Sequence, residues 1–306
     1  MSTLQGDNPL YKRGKIGIDK IIIQSERNMG STKLVVILMS VLVSMTWANI
    51  ALSADNIKLY ALDCGSYDVA DMKDLSDTGV YDGQKLEMAN PCFLIRHPKG
   101  DLLWETGHID SLADKVNGEV GGVWHSKLKT KLVAQLAQLN ITPQDIEYLS
   151  LSHVHPDHAG NANKFESSTF IVNKLEHDFM FSEPTKSNFG EYYSALEKAE
   201  TILFNGEYDV FDDDSVVIKS MPGHTPGSSV LLVRLSHAGN LLLSGDLYVH
   251  AQGRKLNTMH RYNAKALTLD SRAKFEVLAK KENARVVIQH DKQDFERLPK
   301  FPRYLD

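Results

Sequence analysis

Residues Ser152–Gly160 read SHVHPDHAG and place three histidines and one aspartate within six positions. The cluster directly follows Ile146–Leu151 (IEYLSL), whose apolar pattern predicts a buried strand. Imidazole and carboxylate groups are costly to keep near a hydrophobic core unless they bind something. Both groups are good ligands for zinc, and manganese, iron and cobalt accept similar donors. The cluster therefore predicts a metal site at the end of a strand.

The spacing within the cluster indicates two metal positions. His153 and His155 are two residues apart, so an extended chain directs both side chains to the same side. Asp157 and His158 follow where the chain turns into a helix, and there adjacent side chains diverge. We expect the first pair to share one ion and the second pair to face another.

Three more candidate ligands follow strand-like segments farther along the chain. His224 lies in the loop MPGHTPGS, where prolines stiffen the backbone and glycines permit unusual angles. Asp246 ends the apolar run LLLSGD, and His290 ends VVIQH. Side chains at the ends of neighbouring strands are commonly gathered into one site in open α/β sheets.

These motifs, in this order, resemble the signature of the metallo-β-lactamase superfamily over about residues 57–295. The resemblance implies an α/β (α+β) fold, the αββα sandwich, in which two mixed sheets pack face to face with helices outside. It also implies two zinc ions per chain, with manganese, iron or cobalt as substitutes. Seven side chains are the implied ligands: His153, His155 and His224 for the first ion, Asp157, His158 and His290 for the second, and Asp246 for both.

Two segments further resemble the N-acyl-homoserine lactonases, the quorum-quenching group. They are DHAGNAN at 157–163 and SGDLY at 244–248. The resemblance implies a small-molecule lactone substrate whose ring is opened by a hydroxide held between the metals. Tyr248 is then the candidate that reaches the substrate carbonyl, and Asp157 the group that returns the proton. The alternative for Tyr248 is a packed aromatic ring with its hydroxyl at the rim.

Other hydrolases use the same two-metal site. The alternative function is an exported metallo-β-lactamase or a promiscuous esterase or lactonase. A non-catalytic binding protein is disfavoured, because all seven ligand positions are filled. The sequence does not define the acyl-chain preference or the oligomeric state.

The distribution of charge argues against a nucleic-acid substrate. The formal net charge is −5, and residues 1–54 carry six basic and three acidic residues. The remainder therefore holds 28 basic and 36 acidic residues, a net charge of −8. Binding to a phosphate backbone needs a basic surface instead.

The first 54 residues predict export. Lys33 precedes the uncharged apolar run LVVILMSVLVSMTW, and small residues follow it, as in a secretory signal peptide. We expect residues 1–28 to be a non-structural extension, with translation starting at Met29, and residues 29–54 to be the signal peptide. Residues 55–306 would then form one periplasmic or secreted domain with no stable membrane insertion; an uncleaved anchor is the minority interpretation.

Three further features bear on the site. Cys64 and Cys92 lie in predicted strands and are either a disulfide or two small buried thiols. Glu105 stands in Trp-Glu-Thr-Gly where relatives often have Asp-Thr-Gly, which puts the support of the metal ligands in doubt. Among the histidines outside the motifs, His250 and His260 are the ones most expected to touch the site.

Two glycine-containing segments are predicted to be loops that shape the substrate pocket. They are Asp71–Asn90, with Met88, and Asn117–His125, with Val120, Val123 and Trp124. Trp124 either lines an acyl pocket or is a half-buried aromatic at the start of a helix predicted over Lys127–Leu139.

Overall fold

Two β-sheets form the centre of the fold in residues 57–306, the part of the chain that the computed structural model describes. The first sheet has eight strands: β1 (Lys58–Val69), β2 (Leu86–His97), β3 (Gly100–Trp104), β4 (Glu119–Gly121), β5 (Trp124–Lys127), β6 (Tyr148–Ser150), β7 (Thr169–Asn173) and β8 (Thr201–Phe204). The second sheet has five: β9 (Glu207–Asp209), β10 (Val216–Ser220), β11 (Ser229–Leu235), β12 (Gly239–Leu243) and β13 (Arg285–Val287).

The α-helices of the described range lie between or after these strands. They are α1 (Leu132–Ala137), α2 (Pro156–Ala159), α3 (Lys174–Met180), α4 (Thr185–Tyr193), α5 (Ala251–Leu256), α6 (Lys265–Lys281) and α7 (Lys292–Glu296). None of the helices within residues 57–306 has the length and apolar composition of a membrane-spanning helix.

The strand order brings the predicted ligand segments to one edge of each sheet. The order is β4-β5-β1-β2-β3-β6-β7-β8 in the first sheet and β13-β12-β11-β10-β9 in the second. Strand β3 is parallel to β6, and β12 is parallel to β13, so the carboxyl ends of each pair lie at the same edge. Strand β11 is antiparallel to β10 and β12, so its first residue also lies there.

Strand alternation builds three apolar layers. Tyr60 and Leu62 of β1 face a core shared with α1, α3 and α4, whereas Leu59 and Ala61 face the second sheet. The far side of the second sheet packs on Phe275 of α6. Helix, sheet, sheet and helix therefore stack in that order, and the αββα sandwich expected from the resemblance is confirmed.

The largest error in the predicted elements concerns Lys127–Leu139. Residues Trp124–Lys127 form β5, which pairs with β1 along Val69–Ser66, so the helix begins only at Leu132. The segment Asn117–His125 is likewise not a plain loop, because it contains β4 and the start of β5. Pairing with a distant strand overrode the local helical spacing here, as tertiary contacts often do. The predicted extension, start site and signal peptide lie outside the described residues.

Cys64 and Cys92 form a disulfide between β1 and β2, with Cα atoms 5.7 Å apart. This settles the alternative that the sequence left open. Leu62 of β1 and Cys92 of β2 are register partners, so the bridge fastens two neighbouring inner strands of the first sheet.

Removing this disulfide is expected to lower the free energy of unfolding by about 3–4 kcal/mol, because it closes a loop of 28 residues in the unfolded chain. Urea unfolding of the protein with and without reductant measures the loss. The double variant Cys64→Ser, Cys92→Ser is the matched control and should not respond to reductant. Equal stability of the oxidised and reduced protein would contradict the expectation.

Candidate metal centre

All seven predicted ligands meet between the two sheets, at the edge described above. The first sheet supplies residues 153–158, which follow β6. The second sheet supplies His224 from the loop between β10 and β11, Asp246 after β12 and His290 after β13. The two groups are joined directly, since the Ser229 amide donates to the Ser152 carbonyl at 2.9 Å.

His153, His155 and His224 form one group of converging nitrogens. His155 Nδ1 lies 2.9 Å from His153 Nε2 and 3.1 Å from His224 Nε2. This is the set that the spacing and the resemblance assigned to the first metal. A single cation can reach all three atoms, which lie within 4.8 Å of one another.

Asp157, His158 and His290 form the second group. Asp157 Oδ2 lies 3.5 Å from His290 Nε2 and 3.7 Å from His158 Nε2. The sequence predicted this set as well, although His290 is more than 130 positions away in the chain.

The Asp246 carboxylate lies between the two groups and turns one oxygen to each. Its Oδ2 is 3.4 Å from His224 Nε2 and 3.9 Å from His153 Nε2. Its Oδ1 is 3.1 Å from His290 Nε2 and 3.4 Å from His158 Nε2. This geometry is the one required of a carboxylate that bridges two cations.

Four of the histidines are oriented by a partner at the other ring nitrogen. These Nδ1 contacts are His153 with Ser152 Oγ at 2.9 Å, His224 with Asn263 Oδ1 at 3.0 Å, His290 with the Ala89 carbonyl at 2.9 Å and His158 with Glu105 Oε2 at 3.3 Å. Partners of this kind fix the direction of the ring and leave Nε2 for the metal.

Glu105 supports the site in spite of its extra methylene. Its Oε1 accepts a hydrogen bond from the Ser152 amide at 3.1 Å, and its Oε2 faces His158. The residue is fully buried and has a φ of 69°, a left-handed conformation that moves its backbone away from the regular strand. The doubt raised by the departure from Asp-Thr-Gly therefore resolves in favour of an intact support.

The Glu105→Gln variant is expected to bind zinc about 10–100-fold more weakly, because the amide removes the negative charge that faces His158. Competition with a chromogenic chelator measures the affinity. Glu147→Gln is the control, since Glu147 precedes β6 at the opposite end of that strand. An unchanged zinc affinity in Glu105→Gln would show that Glu105 does not support the ligand.

The electrostatics of the two groups differ. Burial lowers the pKa of His155 and of His224 to about 4, so both are neutral and ready to donate a lone pair. Burial also opposes charge on His158, but Asp157, Glu105 and Asp246 outweigh it and raise the pKa of His158 well above its usual value. The second group is thus a strongly negative environment that attracts a cation.

An observation that is independent of the motifs also indicates that these side chains suit metal ions. His158 Nε2 and Asp246 Oδ1 are buried and have no hydrogen-bond partner among the described residues. Buried polar atoms normally find a partner. Five imidazoles and two carboxylates, with these two atoms turned to the centre, suit divalent ions of the zinc type.

Tyr248 does not face this site, and the predicted contact with a substrate carbonyl is wrong for this structure. Its hydroxyl donates to Glu276 Oε1 at 2.9 Å, and the Arg272 guanidinium lies over its ring. It lines a different cavity beside α6. The 3-10 turn Gly245–Leu247 places Asp246 at the metal centre and directs the side chain of Tyr248, which follows the turn, away from it.

Sequence reasoning missed Glu176, which ties the two ligand loops together. Its Oε1 accepts from the Val154 amide at 2.9 Å. Its Oε2 accepts from Thr225 Oγ1 at 2.7 Å and from the Gly227 amide at 3.0 Å. A Cβ at Gly227 would lie 2.1 Å from the Glu176 nitrogen, so only glycine permits this approach. In the sequence, Glu176 looks like any charged helix residue.

A cavity of about 1030 Å³ opens onto the metal centre. His155, Asp157, His224, Asp246 and His290 line one part of it. The rest is mainly apolar: Leu75, Met88, Trp124, Val249, Leu175, Phe179, Phe189, Pro226, Ala264 and Leu267. The centre can therefore activate a polar group while apolar walls hold an attached hydrocarbon.

The other residues that the sequence singled out differ in whether they line this cavity. Met88, Trp124 and His260 line it, as expected, whereas Val120 is exposed to solvent. His250 instead caps α5 by accepting from the Gly253 amide and lies outside the cavity. Tyr67, which sequence reasoning also missed, lines the cavity beside Asp157.

Comparisons with known proteins agree with this geometry. The family model described as metallo-beta-lactamase superfamily matches residues 87–290. N-acyl homoserine lactonase AttM of Azorhizobium caulinodans is 30% identical over 271 residues, which cover 82% of this chain and 99% of that protein. A relative of the same name from Agrobacterium fabrum is 29% identical and covers 81% and 98%.

Among solved structures, an N-acyl homoserine lactone hydrolase with N-hexanoyl-L-homoserine bound at its catalytic metal centre superposes with a TM-score of 0.70. It is 24% identical and covers 83% of this chain and 100% of that one, which supports the likeness of fold. Since the family model spans every predicted ligand from His153 to His290, the chain belongs to the metallo-beta-lactamase superfamily.

Proposed function

We propose that this protein is a two-zinc N-acyl-homoserine lactonase that opens the lactone ring to give the N-acyl-homoserine. The observation that carries the proposal is the pair of donor groups that share Asp246 at one part of an apolar-lined cavity. A lactone ring fits the polar part, and the acyl chain fits the apolar part. The similarity to two N-acyl homoserine lactonases supports the same substrate class.

The zinc ions, when bound, would polarise the lactone carbonyl and supply a water of lowered pKa. The chain's own residues do the rest. One ion would be held by His153, His155 and His224, the other by Asp157, His158 and His290, and Asp246 would serve both groups. Asp157 lies at the cavity wall, where its carboxylate can hold a proton and return it to the leaving alcohol of the ring.

The acyl chain is proposed to lie against Leu175, Phe179 and Phe189, which α3 and α4 contribute to the cavity. Leu175 is 55% exposed, so an apolar ligand there would remove a large side chain from water. Substrates with longer acyl chains should therefore bind more tightly than short ones, until the chain outgrows the cavity.

Export is part of the proposal. The sequence pattern of residues 29–54 supports a cleaved signal peptide and a mature domain of residues 55–306. The disulfide between Cys64 and Cys92 supports it too, because such bridges persist mainly in oxidising compartments. Intact mass of the protein recovered from its native host tests both the cleavage site and the start at Met29.

Proton release after addition of short- and long-chain acyl-homoserine lactones tests the function. We expect rapid acid release from zinc-loaded protein, and none after chelation. The chromogenic β-lactam nitrocefin and a simple aryl ester are the comparison substrates. Release from nitrocefin or the ester alone, by protein shown to hold about two metals per chain, would overturn the lactonase assignment and favour the alternative hydrolases.

A further inference from the structure

Tyr67 lies where the metal centre, the cavity and the first sheet meet. It belongs to β1 and pairs with Met88 of β2 and Ser126 of β5. Its ring makes edge contacts with His108 at 4.7 Å and with Trp124 at 5.4 Å between centroids. The ring is thus packed against two other rings, which fix its direction without a bound ligand.

The backbone before Tyr67 explains how a strand residue reaches the site. The register between β1 and β2 shifts between Asp63 and Ser66, which is a bulge. Gly65 within it has a φ of 131°, and a Cβ there would lie 2.2 Å from His108 Cδ2. Bulges re-aim the side chains that follow them and recur beside active sites.

Tyr67 lines the cavity together with Asp157, and its ring lies edge-on to the ring of His290, with centroids 6.3 Å apart. Burial and the neighbouring Asp157 carboxylate raise the pKa of its hydroxyl well above the usual value. A neutral phenol can donate a proton and a carboxylate can only accept, so Tyr67 is the donor in a contact between these two groups. Asn90 Nδ2 holds the backbone carbonyl of Asp157 at 2.8 Å. The main chain of Asp157 is therefore held by Asn90, and the Tyr67 side chain neighbours its carboxylate.

We propose that Tyr67 is a positioning residue of the active site, whose hydroxyl sets the direction of the Asp157 carboxylate towards His158 and His290. The four supported histidines of the centre each have a partner of this kind, and Tyr67 provides the equivalent for the carboxylate ligand. The role is distinct from the one the sequence suggested for Tyr248, because Tyr67 acts through a ligand. Only the catalytic consequence of this inference rests on the proposed function.

The test compares Tyr67→Phe with Tyr248→Phe in the full-length, metal-loaded protein. Each variant loses one phenol oxygen and keeps its ring, but only the first loses a contact to a metal ligand. In Tyr67→Phe we expect zinc affinity to fall about 10–100-fold and the visible absorption bands of the cobalt(II)-substituted protein to change. We expect kcat on the lactone to fall by a similar factor, with KM within about threefold.

Tyr248→Phe should leave the zinc affinity, the cobalt spectrum and kcat unchanged. An unaltered cobalt spectrum and zinc affinity in Tyr67→Phe would overturn the inference, as would a rise in KM alone. A merely structural role would lower thermal stability without changing the spectrum. If the spectrum and the affinity change but neither protein hydrolyses a lactone, the inference on Tyr67 stands and the proposed function fails.

Discussion

Replacing Asp246 with alanine is expected to abolish nearly all hydrolysis and to leave at most one metal ion per chain. The reason is geometric, because this carboxylate turns one oxygen to His224 and the other to His290. Without it, two nearby cations would face each other with no shared anion between them. Loss of a residue that merely supports a metal ligand costs about 10–100-fold, so loss of this shared ligand should cost more.

Metal analysis after dialysis and proton release on a lactone measure the two effects. Asp270→Ala is the matched control, since Asp270 is an exposed carboxylate on α6 that forms an ion pair with Lys274. It should retain both metals and full activity. An Asp246→Ala protein that held two ions and worked at the normal rate would refute the bridging role.

Replacing Glu176 with alanine is expected to lower the free energy of unfolding by about 3 kcal/mol or more. Three donors, the Val154 and Gly227 amides and the Thr225 hydroxyl, would remain buried without this acceptor, and each such loss costs about 1–3 kcal/mol. Zinc affinity should fall as well, because the loops that carry His155 and His224 are then no longer joined.

Urea unfolding and chelator competition measure these losses. The control is Asp178→Ala on the same helix, where the ion pair with Lys174 is exposed to solvent and contributes little to stability. If both variants proved equally stable, Glu176 would not be the link between the ligand loops.

The charge of Glu176 gives a dependence on pH with a definite sign. Burial raises the pKa of its carboxyl to about 7, compared with 4.5 for an unperturbed group. Between pH 4.5 and about 7, the folded protein keeps a proton on Glu176 that the unfolded chain has released. The contribution of this group to stability therefore falls as the pH rises through that range. Glutamine does not titrate. The stability lost in Glu176→Gln should therefore be largest near pH 5 and smaller near pH 8, with excess zinc throughout.

The sequence by itself determined the fold and the seven candidate metal ligands that the structure brings together. His153, His155, Asp157 and His158 are identifiable because their chemistry is concentrated in six positions, and because ligands at strand ends follow recognisable apolar runs. Asp246 and His290 were predictable for the same reason. These inferences depend on residue type and on local spacing, both of which are visible along the chain.

The tertiary structure alone decided which groups support those ligands. Tyr248 was predicted from its proximity to Asp246 in the chain, yet a short turn directs it to Glu276. Tyr67 reaches Asp157 across 90 residues of sequence, because a bulge and strand pairing bring it there. Glu176 has no local signature, since the three groups it holds converge only after the two sheets pack. A side chain's direction depends on backbone turns and distant contacts, and residue spacing carries little information about either.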